Sequence, residues 1–89
     1  MIRTTLSISN RLGLHARASA KLTKLASGFA SEVHLSRNGR RVNAKSIMGV
    51  MMLAAGPGTE VELEVDGPDA EAAAAAIAAL VADRFGEGE

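Results

Sequence analysis

Residues 60–65 alternate without exception, with Glu60, Glu62 and Glu64 on one side and Val61, Leu63 and Val65 on the other. A two-residue period of this kind describes a strand with one dry face and one wet face. Such strands belong to antiparallel sheets that are covered on a single side. The rest of the chain must therefore supply apolar cover for one face and leave the glutamates open.

The remaining periodicities supply that cover. Residues 2–8 read as a first strand, with Ile2, Leu6 and Ile8 on one face and Arg3, Thr5 and Ser7 on the other. Asn10 to Gly13 reads as a turn. A helix from Ala16 to Ser27 carries the stripe Ala18, Leu22, Leu25, Ala26 and Phe29, keeps Lys21 and Lys24 off it, and meets Gly28 as a C-terminal cap. Residues 32–36 form a second strand, with Val33 and Leu35 inward and Glu32, His34 and Ser36 outward. Asn38-Gly39 is the signature of a two-residue type I′ hairpin into a short strand at 40–43. Ser46 suits the N-cap of a short helix over 47–53, anchored by Val50 and Leu53. The turn at Gly56-Pro57-Gly58 precedes the 60–65 strand. Gly67-Pro68 is expected to open the last helix with Pro68 in its first turn, and the alanine-rich stretch continues it to about Phe85. Gly86 to Glu89 is expected to fray.

The order βαββαβα places the chain in the α+β class. Its economical packing is a four-stranded antiparallel sheet, order 1-4-2-3, with the helices on one face. At 89 residues, one domain spans residues 1–89, and a chain of this size buries roughly 60–65% of its unfolded surface. The absence of cysteine removes disulfides and thiol chemistry, and two distant histidines make a metal centre an unattractive reading. No cofactor is expected. No apolar run approaches the ~20 residues that span a bilayer, and the N-terminus does not resemble a signal peptide, so the expectation is a cytoplasmic protein without a membrane partner.

The net charge of zero conceals a split. Residues 1–46 hold nine of the ten Lys and Arg and only Glu32 among the acids; residues 47–89 hold nine of the ten acids and only Arg84 among the bases. That asymmetry could steer an acidic partner to the N-terminal half, although halves that interleave in space would cancel in part. Nucleic acid is disfavoured as a partner, because only Phe29 and Phe85 could stack on bases. Arg37, Arg40 and Arg41 read as a solvated basic hairpin tip, and His34 as a solvated strand residue.

The chemistry concentrates at residues 13–19, Gly-Leu-His-Ala-Arg-Ala-Ser, where the first strand and its turn give way to a helix. Free backbone N–H groups and the helix dipole favour an anion there. His15 adds a nucleophile and Arg17 a guanidinium, so a phosphoryl group could be accepted on nitrogen and its charge steadied. A histidine that merely sits at a surface beside a helix is the plain alternative. A second cluster follows Ser46, where Ile47, Met48 and Met51 form an apolar face with less to bury against, suited to several partners, with packing into the core as the plain alternative.

Two motifs together, Gly13-Leu14-His15-Ala16-Arg17-Ala18 and Lys45-Ser46-Ile47-Met48-Gly49-Val50-Met51, make the chain similar over nearly its whole length to the HPr family of histidine phosphocarriers in the bacterial phosphotransferase system. The resemblance implies an open-faced β-sandwich. It implies that His15 takes a phosphoryl group on Nδ1 from phospho-Enzyme I and passes it to a IIA domain of a sugar permease or to a nitrogen-related IIA. Such a protein is a stoichiometric carrier, expected to be a monomer, rather than an enzyme with turnover. Arg17 would accompany the phosphate, the backbone N–H groups of Ala16 and Arg17 would bind it, and Ser46 would be phosphorylated by an HPr kinase/phosphorylase. Partners would dock on Ala20, Lys24, Ile47, Met48 and Met51. Many members have proline after the arginine; here the position is Ala18, a form also found in the nitrogen-related branch with its regulatory output. A small nucleic-acid-binding α+β domain and a purely structural adaptor are the readings from other classes.

Overall fold

A computed structural model describes residues 1–87. The order is β1 (Ile2–Ser7), α1 (Ala16–Ser27), β2 (Glu32–Arg37), β3 (Arg40–Asn43), α2 (Ile47–Met52), β4 (Glu60–Asp66) and α3 (Ala70–Ala82), followed by a 3₁₀ turn at Arg84–Gly86. The four strands form one antiparallel sheet in the order β1-β4-β2-β3. This is the open-faced sandwich expected from the alternation. Val61, Leu63 and Val65 of β4 are buried beneath the helices with Leu6, Val33, Leu35, Leu22, Val50 and Ile77.

Local chemistry explains most element ends. Asn38 and Gly39 both adopt positive φ, 51° and 79°, as a type I′ turn requires. Gly28 caps α1 with right-handed backbone (φ −77°) and donates to Leu25 and Ala26 carbonyls. The last helix starts later than expected. Its N-cap is Asp69, so Pro68 lies outside the first turn. Asp69 does not cap its own helix; its carboxylate accepts the Ala30 and Ser31 N–H groups, each at 2.9 Å, and the Ser31 hydroxyl. The start of α3 is thereby tied to the loop between α1 and β2.

The C-terminal end differs more. Helix α3 stops at Ala82, and Phe85 is buried within the 3₁₀ turn with left-handed backbone (φ 57°). Lys21 Nζ donates to the Phe85 carbonyl at 2.6 Å. The expected fraying is therefore corrected at Gly86 and Glu87, which the buried ring and Lys21 hold against α1; residues 88 and 89 lie outside the described residues.

The charge split resolves on the open face. Register pairs both Arg3 and His34 with Glu64 across the strands. Arg3 Nη2 and Arg41 Nε each contact a Glu64 carboxylate oxygen at 2.8 Å, and Arg3 Nε lies 3.7 Å from Glu62. Basic residues from the N-terminal half thus neutralise much of the acidic row. The hairpin tip is less free than expected: besides the Arg41 pair, Arg37 donates to the Leu53 carbonyl at 3.0 Å.

Candidate functional site

The turn leading into α1 is built before the reactive residues arrive. Asn10, fully buried, accepts the Gly13 N–H through its backbone carbonyl at 3.1 Å and donates from Nδ2 to the Gly13 carbonyl at 2.8 Å. Leu14 N–H donates to the Ala55 carbonyl at 2.8 Å, joining this turn to the segment after α2. On the other side, the buried Ser19 hydroxyl donates to the Leu14 carbonyl at 3.0 Å. His15 is thus fixed between two anchored residues.

His15 is the N-cap of α1, with extended backbone and no side-chain capping bond. The first helical bond, from Ser19 N–H to the His15 carbonyl at 2.8 Å, leaves the N–H groups of Ala16, Arg17 and Ala18 without helical acceptors. The structure places the Ala16 and Arg17 N–H groups at the open end of the helix that His15 begins, with the Arg17 side chain exposed in its first turn. Free N–H groups at a helix N-terminus favour an anion, and the imidazole stands at the same end of the helix.

The imidazole is only partly open to solvent. Its Nε2 lies 2.6 Å from Glu87 Oε2, and the side chain is 27% exposed. Glu87 Oε1 in turn accepts the second Asn10 Nδ2 hydrogen at 3.0 Å. The Asn10 amide, and then His15, hold the Glu87 carboxyl below its ordinary value. Neither Asn10 nor Glu87 was identified as a site residue from sequence. Glu87 sits in a Gly-flanked tail where no periodicity distinguishes it, whereas an Asn opening a turn so near the motif was a readable signal.

Ser46 is the N-cap of α2, and its Oγ accepts the Gly49 N–H at 3.2 Å. Val50 and Leu53 are buried as expected, while Ile47, Met48 and Met51 face outward, Met48 at 68% exposure. Met52 and Leu12 (64% exposed) are further large apolar side chains at the surface. Leu12 belongs to the turn before His15, so apolar surface lies beside the imidazole as well as on α2. Ala20 and Lys24 are exposed on α1, which packs against α2. Among the described residues no group of His, Asp and Glu could hold a metal ion, and no helix is long and apolar enough to cross a membrane.

A family profile described as "PTS HPr component phosphorylation site" matches residues 2–83. The chain belongs to the HPr family of phosphotransferase-system phosphocarriers. It is 65% identical over 89 residues to phosphocarrier protein HPr of Cupriavidus necator, covering all of both chains. It matches an HPr crystal structure from Thermoanaerobacter tengcongensis with a TM-score of 0.95 and 41% identity, covering 98% of each chain. A member named NPr, from Shewanella violacea, is 44% identical over 81 residues, 91% of this chain and 89% of that one.

Proposed function

We propose that this HPr-family chain works as a stoichiometric phosphoryl relay with His15 as the acceptor. One observation supports the assignment: His15 occupies the N-cap position of α1 beside free N–H groups and two residues before Arg17, with its Nε2 engaged by Glu87, which leaves Nδ1 for bond formation. The Nδ1 lone pair attacks phosphorus as the donor's bond to phosphorus breaks and its electron pair leaves with the donor. Arg17 and the Ala16 and Arg17 N–H groups then take up the charge of the phosphoryl oxygens. An exposed anion site with few ligands suits a carrier, since a deeply enclosed phosphate would transfer poorly.

Phospho-Enzyme I is the proposed donor and a IIA domain the proposed acceptor, in the cytoplasm and with this chain as a monomer. Both would dock on Ala20, Lys24 and the Ile47, Met48 and Met51 face. Ser46 would receive a regulatory phosphate from an HPr kinase/phosphorylase. Ala18 favours keeping a second reading, a nitrogen-related carrier with regulatory output, and neighbouring genes for sugar permeases or for nitrogen regulation separate the two. Incubation with phosphoenolpyruvate and Enzyme I should place one acid-labile, base-stable phosphate on the protein and none on His15→Ala. A His15→Ala protein that still takes up one such phosphate would overturn the assignment.

A further inference from the structure

We propose that Glu87 is a positioning residue for phosphoryl transfer: its carboxylate accepts the Nε2 hydrogen of His15 and so presents Nδ1 as the unprotonated nitrogen. This deepens the phosphocarrier reading and rests on it. The two residues are 72 positions apart, yet Glu87 Oε2 stands 2.6 Å from Nε2.

Three separate anchors bring the carboxylate there. Phe85 is buried in the core, Lys21 Nζ binds its carbonyl at 2.6 Å, and Asn10 Nδ2 donates to Glu87 Oε1 at 3.0 Å. The Glu87 side chain is itself only 13% exposed. Asn10 also bonds the Gly13 carbonyl, so one buried amide fixes both the turn that carries the imidazole and the carboxylate that orients it. A neutral imidazole has one N–H and one lone pair, and a carboxylate can only accept. Beside Glu87 the hydrogen must therefore reside on Nε2, which leaves the lone pair on Nδ1.

The same contact serves the loaded state. When Nδ1 bonds to phosphorus while Nε2 keeps its hydrogen, the ring gains positive charge, and Glu87 faces it. When the group leaves, the P–N bond breaks and its electron pair returns to Nδ1. The carboxylate changes neither its bonding nor its protonation in either step. An orienting partner on a reacting imidazole is worth about tenfold or more in rate.

The test uses the full chain and two readouts. Long-range ¹H–¹⁵N NMR of neutral His15 should show the Nε2–H tautomer alone in the wild type and a mixture in Glu87→Ala. Phosphoramidate, a small donor needing no protein partner, transfers its phosphoryl group to the imidazole and leaves as ammonia with the electrons of its P–N bond. Glu87→Ala should accept from it about tenfold more slowly, and Glu87→Gln, which keeps an acceptor oxygen, should recover part of the rate. An unchanged tautomer and an unchanged rate in Glu87→Ala, with the wild type phosphorylated on His15, would overturn the role of Glu87 alone. A wild-type protein that takes up phosphate from neither phosphoramidate nor phospho-Enzyme I would overturn the phosphocarrier reading and this role with it.

Discussion

Gly13 and Ala55 approach so closely that a β-carbon on Gly13 would stand 2.5 Å from the Ala55 carbonyl oxygen. Gly13 also holds a left-handed φ of 63°. Strain of that kind costs an L side chain about 1–3 kcal/mol, and the backbone clash adds to it. Gly13→Ala should therefore lower stability by at least that amount in urea unfolding. It should also slow phosphoryl acceptance, because the Leu14 N–H to Ala55 carbonyl bond beside His15 must move. A variant with wild-type stability would show that this approach does not constrain the turn.

Arg17 is exposed two residues into α1, where its planar fork can meet two phosphoryl oxygens at once. Lysine keeps the charge but presents a single point of contact. Arg17→Lys should retain the fold and its helix content, yet transfer phosphate at least severalfold more slowly in rapid-quench measurements. Transfer at the wild-type rate would remove Arg17 from phosphate placement.

Much of this geometry was legible because it is periodic. The β4 alternation, the Asn38-Gly39 turn and the α1 stripe each constrain a neighbour within a few residues, and the strand order follows from them with one crossover. Local capping was equally readable at Ser46. What escaped were contacts between distant segments. Pro68 was expected inside α3 because the preference of Asp69 for the Ser31 loop over its own helix depends on tertiary packing. Glu87 escaped for the same reason, since Lys21 and the buried Phe85 and Asn10 carry the tail to His15. Arg37 and Arg41 look solvated in sequence, and become partners of Leu53 and Glu64 only once the sheet has formed.

The Asp69 clasp gives a pH dependence of defined sign. The Ser31 hydroxyl and then the Ala30 N–H hold the Asp69 carboxyl below its ordinary value of 3.8. A group lowered on folding contributes stability that is full above its unfolded value and is lost as pH falls through the lower folded value. The protein should therefore lose stability from about pH 4 downward, and Asp69→Asn should flatten that part of the profile. Acid unfolding followed by circular dichroism checks this, and an equally steep variant would assign the acid sensitivity to the other two lowered carboxyls, Glu64 beside Arg41 and Arg3 and Glu87 beside Asn10 and His15.

Ser46 combines two roles that substitution can separate. As N-cap of α2 its hydroxyl accepts the Gly49 N–H at 3.2 Å, and alanine there should cost about 1 kcal/mol. Aspartate caps as well as serine, so Ser46→Asp should unfold at nearly the wild-type denaturant concentration. It nevertheless places a negative charge next to Ile47 and Met48, both exposed on the proposed docking face. Burying that charge against Enzyme I, or bringing it near acidic groups there, costs roughly 1 kcal/mol or more, equivalent to about fivefold in rate. The two variants should therefore behave in opposite ways. Ser46→Ala should lose stability but accept phosphate from phospho-Enzyme I at the wild-type rate. Ser46→Asp should keep its stability and accept at least about fivefold more slowly. With phosphoramidate, which needs no docking face, Ser46→Asp should match the wild type. If it were equally slow with both donors, the charge would be acting on His15 rather than on docking.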